Sequence, residues 1–338
     1  MARYSLFHPP GDFEALSTVA RLCEEVDFDG LLFGEHHGAP QMRFPQVLPL
    51  LAGLAARTTK LRLGTSILLS ALYDPVHLAE SAAVVDQISA GRLTLGLGLG
   101  YQPGDFNHFD VPFKEKVSRF EEGIEVLRLA WSQERFSFEG RRYQYQDVAV
   151  YPKPVQQPTP PLWLAAWSEA GARRAGRLGD AYVSDPIYNL AAIKRFAEEY
   201  RTAASSARKD AEAGEPEVVL MREFLCAETR QEAVDRYAEG ILGTYRYYLS
   251  NGAFSEEWDP WIADLAGPAE MTFEQVAADR VIFGSPDDCA EQLEHWVQET
   301  GASHVQLTIP QASNDQPDQP PLEAIRFAGE QVVARLSS

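Results

Sequence analysis

The chain has 338 residues, 45% of them hydrophobic, and a formal net charge of −19. One β/α barrel takes roughly 250 residues, so the length suits a single barrel with insertions, and the apolar share supports a substantial core. The charge excludes a nucleic-acid partner, the longest apolar runs fall short of the ~20 residues of a membrane span, and Met1–His8 lacks a signal-peptide core, so a cytoplasmic protein is expected.

Strand-like and helix-like patterns alternate along the chain, the signature of parallel β/α units. Tyr4–Phe7 reads as the first strand, and Asp12–Val26 as an amphipathic helix with Leu16, Val19, Ala20 and Cys23 at helical spacing. Gly30–Phe33 is a short, wholly apolar second strand. The helix expected over Pro45–Thr58 is apolar around most of its circumference, which predicts a second face buried against another subunit. Strand three is expected over Leu61–Leu69. Asp74-Pro75 has the chemistry of a cap and a first helical residue, and the helix it opens runs to about Ala90.

Strand four spans Arg92–Gly100, and a helix follows over Ser118–Ser132. Residues 134–160 break the rhythm with a small β excursion and a run of prolines. Leu162–Ala166, Ala181–Ser184, Val218–Cys226 and His304–Ile309 read as strands five to eight. Helices are expected at Ser168–Leu178, Leu190–Ala211, Thr229–Leu249, Pro286–Glu299 and Leu322–Leu336. Ser250–Asp279 lacks periodicity and reads as a lid or binding loop. Eight strands alternating with helices predict a TIM (β/α)8 barrel with insertions. Cys23, Cys226 and Cys289 are odd in number and far apart, so neither a disulfide framework nor a zinc-site spacing is present.

In such a barrel, chemistry sits on the segments that follow the strands. Gly34-Glu35-His36-His37 ends strand two and places three proton-exchanging side chains there, histidine being the one that titrates nearest neutrality. Adjacent residues rarely point at one ion, and no second histidine pair supports them, so no metal site is expected. Gly96-Leu-Gly-Leu-Gly100-Tyr101 strips one face of strand four of side chains, which marks either close approach of a ligand or tight packing. Ala165-Ala166-Trp167-Ser168 ends strand five where a helix begins. Ser168 can cap that helix or, with its free amides, meet a phosphate.

Taken in order, Gly30–His37, Leu61–Ile67, Asp86-Gln-Ile-Ser-Ala-Gly-Arg92, Gly96–Phe106, Ser168–Gly179, Gly284-Ser-Pro286 and the C-terminal strand and helix give the chain a resemblance to the bacterial luciferase-like flavin-dependent monooxygenases. The resemblance implies an enzyme that takes reduced FMN from a separate flavin reductase. It would react the flavin with O2 to a C4a-hydroperoxyflavin, oxidise a small to medium organic substrate, and form a homodimer. It implies His36 as catalytic acid/base, with Glu35 or His37 orienting it. Ser66 and Ile67 would lie against the isoalloxazine and Asp105 near the flavin. Leu99, Tyr101, Ala166, Trp167, Ser168, Glu169 and Ala170 would complete the cofactor site. Luciferase has an arginine where Leu99 stands, so either another cation such as Arg173 replaces it on the phosphate, or flavin binds more weakly, or the cofactor differs. The related deazaflavin branch makes F420-dependent hydride transfer the alternative.

Overall fold

A computed structural model describes residues 1–38, 44–207, 215–312 and 319–337. The strands are β1 (Arg3–Phe7), β2 (Gly30–Phe33), β3 (Arg62–Leu68), β4 (Leu93–Leu97), β5 (Phe136–Glu139), β6 (Gln144–Val148), β7 (Leu162–Ala165), β8 (Ala181–Val183), β9 (Glu217–Cys226), β10 (Ile282–Gly284) and β11 (His304–Thr308). Eight of them close into a parallel barrel in the order β1-β2-β3-β4-β7-β8-β9-β11, with β11 returning to β1. Strands buried on both faces need near-continuous apolar sequence, which is what Gly30–Phe33 and Leu93–Leu97 supply. The expected TIM barrel is present, and its eight strands are those read from the sequence.

Between β4 and β7, β5 and β6 form an antiparallel pair outside the barrel. The short strand β10 was not foreseen. It pairs in parallel with the last residues of β9, Phe224–Cys226, beyond the part of β9 that closes the barrel. The expected end of the long helix at Ala211 lies outside the described residues, and the helix is described to Ala207.

The apolar helix over Val47–Ala55 does not need another subunit to cover it. Val47, Leu48, Leu50, Leu51, Leu54 and Ala55 are buried within the chain, and Gly53 lets the Phe13 ring lie against the helix backbone. The only exposed residue between Val47 and Ala55 is Pro49. Its C-terminus is tied down by Arg92, whose guanidinium donates to the carbonyls of Ala55, Thr58 and Leu61. Asp86 accepts from the amide and side chain of Gln156. The Asp86–Arg92 motif is therefore a structural clamp at the N-terminal rim, away from the strand ends that carry chemistry.

The segment 250–279 is packed rather than structureless. Pro260–Asp264 and Pro268–Glu270 are 3₁₀ turns and Phe273–Ala277 is a helix. Met271, Phe273 and Val276 join Tyr237, Ile241 and Tyr245 in a second apolar cluster. The buried Arg280 guanidinium pairs with Asp259 beside it.

The alternating glycines of β4 answer the packing alternative. A Cβ on Gly96 would collide with the Thr65 carbonyl of β3, and one on Gly98 with the Ile67 side chain. Both glycines make room for β3 where its register shifts between Thr65 and Leu68. Gly96→Ala meets backbone and is expected to lower stability by about 1–3 kcal/mol in urea unfolding. Gly98→Ala meets only the flexible end of Ile67 and is expected to lose much less.

Candidate active site

The C-terminal ends of the strands enclose one cleft of about 660 Å3. His8 after β1, Glu35 and His36 after β2, Ser66 and Ile67 of β3, and Leu99 and Tyr101 after β4 all line it. So do Ala166, Trp167 and Ser168 after β7. His36 and Ser168, 132 positions apart in sequence, thus face one space.

His36 is held by Asp105. Asp105 sits in the short helix Pro103–Asn107 after β4 and is 1% exposed. The His36 Nδ1–H donates to its Oδ2 at 3.2 Å, and the His37 amide donates to its Oδ1 at 2.8 Å. With Nδ1 so engaged, Nε2 of a neutral ring is the nitrogen left to take a proton. The Tyr101 ring meets His36 edge-on at 5.7 Å and lies 4.8 Å from Trp167, so one aromatic wall runs from β2 to β7.

The expected orienting role of Glu35 or His37 is corrected by this geometry. His37 donates from Nε2 to Glu35 at 2.8 Å, turning from the cleft to pack on Phe109. Glu35 is saturated by the Leu69 amide, the Tyr73 hydroxyl and His37. The pair ties β2 to the segment after β3. Asp105, expected beside the flavin, is instead the residue behind His36 and does not line the cleft.

The helix start after β7 differs from expectation in three residues, Glu169, Ala170 and Arg173. Ser168 caps the helix Glu169–Leu178 by accepting from the Gly171 amide at 3.2 Å, which leaves its own hydroxyl hydrogen free to donate. Arg173 points away and pairs with Glu169 and Glu199 on the surface. Glu169 is engaged there too, by Arg195, and neither it nor Ala170 lines the cleft. Arg174 does line it, on the helix face shared with Gly171 and Ala175, with its Nε donating to Glu121 at 2.7 Å. Lys116, unforeseen, lines it as well and donates to the Gly100 carbonyl at 2.9 Å. Lys116 and Arg174 are thus the lysine and arginine that line the cleft, each already held by one protein acceptor.

The same cleft fits a flavin on two observations. Among the described residues the buried Ser66 hydroxyl on the cleft wall has no partner, which calls for a ligand that can hydrogen-bond there. Ile67 and Leu69 give that wall an apolar surface. Among the described residues, none between 250 and 279 lines the cleft; Gly240, Ile241, Thr244 and Tyr248 of the helix Arg230–Ser250 cover that side. Among the aromatic side chains, Phe7, Tyr101, Phe120, Trp167 and Tyr248 line the cleft, whereas Phe106, Phe109, Tyr188, Trp258 and Trp261 do not.

Two further wall residues complete the ring. Asp185, after β8, accepts from the Ile187 amide at 3.0 Å and is hydrogen-bonded by the Trp167 side chain. Glu223 of β9 was missed, because a glutamate inside an apolar strand has no spacing signal. Among the described residues, no group of three metal-ligating side chains is gathered, and no helix is long and apolar enough to cross a membrane.

A parallel β/α barrel that gathers a histidine, a helix start and an aromatic wall in one cleft at its C-terminal rim is the architecture of a barrel enzyme. The chain belongs to the luciferase-like monooxygenase family, whose model matches residues 4–304. It is 36% identical over 160 residues to the uncharacterised protein y4vJ of Sinorhizobium fredii, covering 47% of this chain and 46% of that one. It is 35% identical over 175 residues to an F420-dependent glucose-6-phosphate dehydrogenase of Kineococcus radiotolerans, covering 50% and 51% of the two chains. These alignments span about half the length of each relative. The fold matches the oxygenating constituent of 3,6-diketocamphane monooxygenase from Pseudomonas putida in complex with FMN. That match has a TM-score of 0.77 at 20% identity, over 99% of this chain and 98% of the other.

His8 has a titration consequence. Burial first, and His36 nearby second, push it down to about 4, and its Nδ1 accepts from the Gly34 amide. The unfolded chain takes up this proton near pH 6.5 and the folded one resists it. Its stabilising effect is therefore complete above pH 6.5 and lost as the pH falls toward 4, at about 1.4 kcal/mol per pH unit. Urea unfolding between pH 7 and 4.5 is expected to show that slope, flattened by His8→Gln.

Proposed function

We propose that the protein is a cytoplasmic monooxygenase that uses reduced FMN and O2 to oxidise a small to medium, largely apolar organic substrate, with a separate flavin reductase as its supplier. The observation that carries this is the meeting of His36 and Ser168 across one cleft with an apolar, aromatic wall between them. Ser168, the free amides that follow it, Arg174 and Lys116 would hold the phosphate. Ser66 and Ile67 would lie along the ring system. When bound and reduced, the flavin supplies the activation of oxygen. The residues supply the rest: Tyr101, Trp167 and Ile241 exclude water, and Asp105 fixes His36 so that Nε2 can move a proton at the reacting centre.

The relative named for F420 supports hydride transfer from a deazaflavin as the second reading. Purified protein supplied with reduced FMN or reduced F420 in turn separates the two. Product that requires O2 supports the first, and anaerobic turnover with F420 overturns it. With the active cofactor, His36→Ala is expected to lower product formation by ~10²–10⁴-fold while the cofactor still binds. An unchanged rate would remove His36 from the chemistry.

We also propose a homodimer. Support comes from Val84 and Ile88, one turn apart on the helix Pro75–Ile88 and both exposed. Sedimentation at micromolar concentration is expected to give a dimer that Val84→Glu with Ile88→Lys dissociates.

A further inference from the structure

The cleft has a second half that the cofactor reading leaves unused. The strand ends from β2 to β7 carry His36, Ser66, Tyr101 and Ser168. The ends of β8, β9 and β11 carry Asp185, Glu223 and Thr308, and all three line the cleft. If the flavin takes the first half, as the proposed function requires, the substrate faces the second.

Glu223 is the unusual member of that wall. It is 6% exposed, it faces the cleft among Met221, Ile187 and Val183, and among the described residues its carboxyl has no hydrogen-bond partner. Two charged groups are near it. Asp185 lies on β8 beside it, and the wholly buried Arg222 precedes it on β9 with its side chain on the opposite face, over the Trp296 ring. Two tyrosines on the helix Arg230–Ser250, Tyr245 and Tyr248, also lie within electrostatic reach. Burial pushes the Asp185 carboxyl up too, but the Ile187 amide, Arg222 and the Trp167 side chain work against that shift. Glu223 has neither an amide donor nor a cation of its own in the cleft. Burial, and then Asp185, push it up to about 8.

We infer that Glu223 is a specificity-determining residue that donates one hydrogen bond to an oxygen acceptor of an uncharged substrate held on the wall formed by β8, β9 and β11. An acid that stays neutral in an apolar site can serve as a donor where an anion could only accept. A cationic ligand would be expected only if Asp185 and Glu223 were both ionised, and one proton between them leaves Arg222 to balance the single remaining charge. The inference rests on the cofactor reading only in assigning this half to substrate.

The test uses the full chain without flavin. Infrared difference spectra of wild type minus Glu223→Gln are expected to show a carboxylic-acid carbonyl band at pH 7 that titrates away near pH 8. Calorimetric binding of cyclohexanone at pH 6.5 is expected to weaken about tenfold in Glu223→Leu and to stay near the wild-type value in Glu223→Gln, whose amide still donates. Above pH 9 the wild type should fall to the Glu223→Leu affinity while Glu223→Gln does not. A carboxylate band at pH 7, equal ketone affinity in all three proteins, or tighter binding of cyclohexylammonium than of cyclohexanone overturns the inference. Anaerobic binding of reduced FMN is measured on the same proteins. Normal flavin binding with no ketone effect removes only the role of Glu223, whereas no flavin binding by the wild type removes the cofactor reading and the division of the cleft with it.

Discussion

A carboxylate out of reach of water sets the geometry of the cleft. Asp105 is buried after β4, and a buried anion is tolerable only when its oxygens are met by donors. Its donors are the His36 ring and the His37 amide, both at the end of β2. Satisfying Asp105 therefore fixes where His36 points and which of its nitrogens is free. The neighbouring Glu35 is satisfied in the same way by Leu69, Tyr73 and His37, and joins β2 to the segment after β3. Two buried carboxylates thus hold three strand ends in register, and the reactive histidine is placed by one of them.

The opposite requirement shapes the wall across from it. Ser66 and Ile67 face the cleft where β3 leaves regular register, and β3 can do so only where β4 gives way. Gly96 and Gly98 supply that space. The glycine alternation therefore serves the ligand at one remove: it admits the backbone of β3, and β3 forms the surface. The cleft so built has a cationic end at Lys116 and Arg174, an aromatic side at Tyr101 and Trp167, and an acidic wall at Asp185 and Glu223.

The places where sequence reading went astray share a cause. Arg173 and Arg174 are adjacent, and only helical phase decides that Arg174 shares a face with Gly171 and Ala175 while Arg173 meets Glu199. Glu35, His36 and His37 are adjacent too, and turns after a strand scatter neighbouring side chains in different directions. The lid expected from a lack of periodicity is a packed subdomain edge, because 3₁₀ turns and a short helix leave no period long enough to detect. The apolar circumference of Val47–Ala55 was real, but Phe13 and the helix Pro75–Ile88 cover it within the chain. Glu223 had no signal at all, since its importance is that it lacks a partner.

The sequence by itself determined the barrel, the order of its strands and the rim on which His36 and Ser168 stand. These follow from local pattern: apolar runs of strand length, amphipathic periods between them, and the rule that parallel strands end on one side. Only the tertiary structure decided which carboxylate holds His36, which of two adjacent arginines lines the cleft, and which acid on its wall is left without a donor. Those outcomes depend on distances between residues far apart in the chain. A hydrogen bond exists or fails within a fraction of an ångström, which no spacing along a sequence can encode.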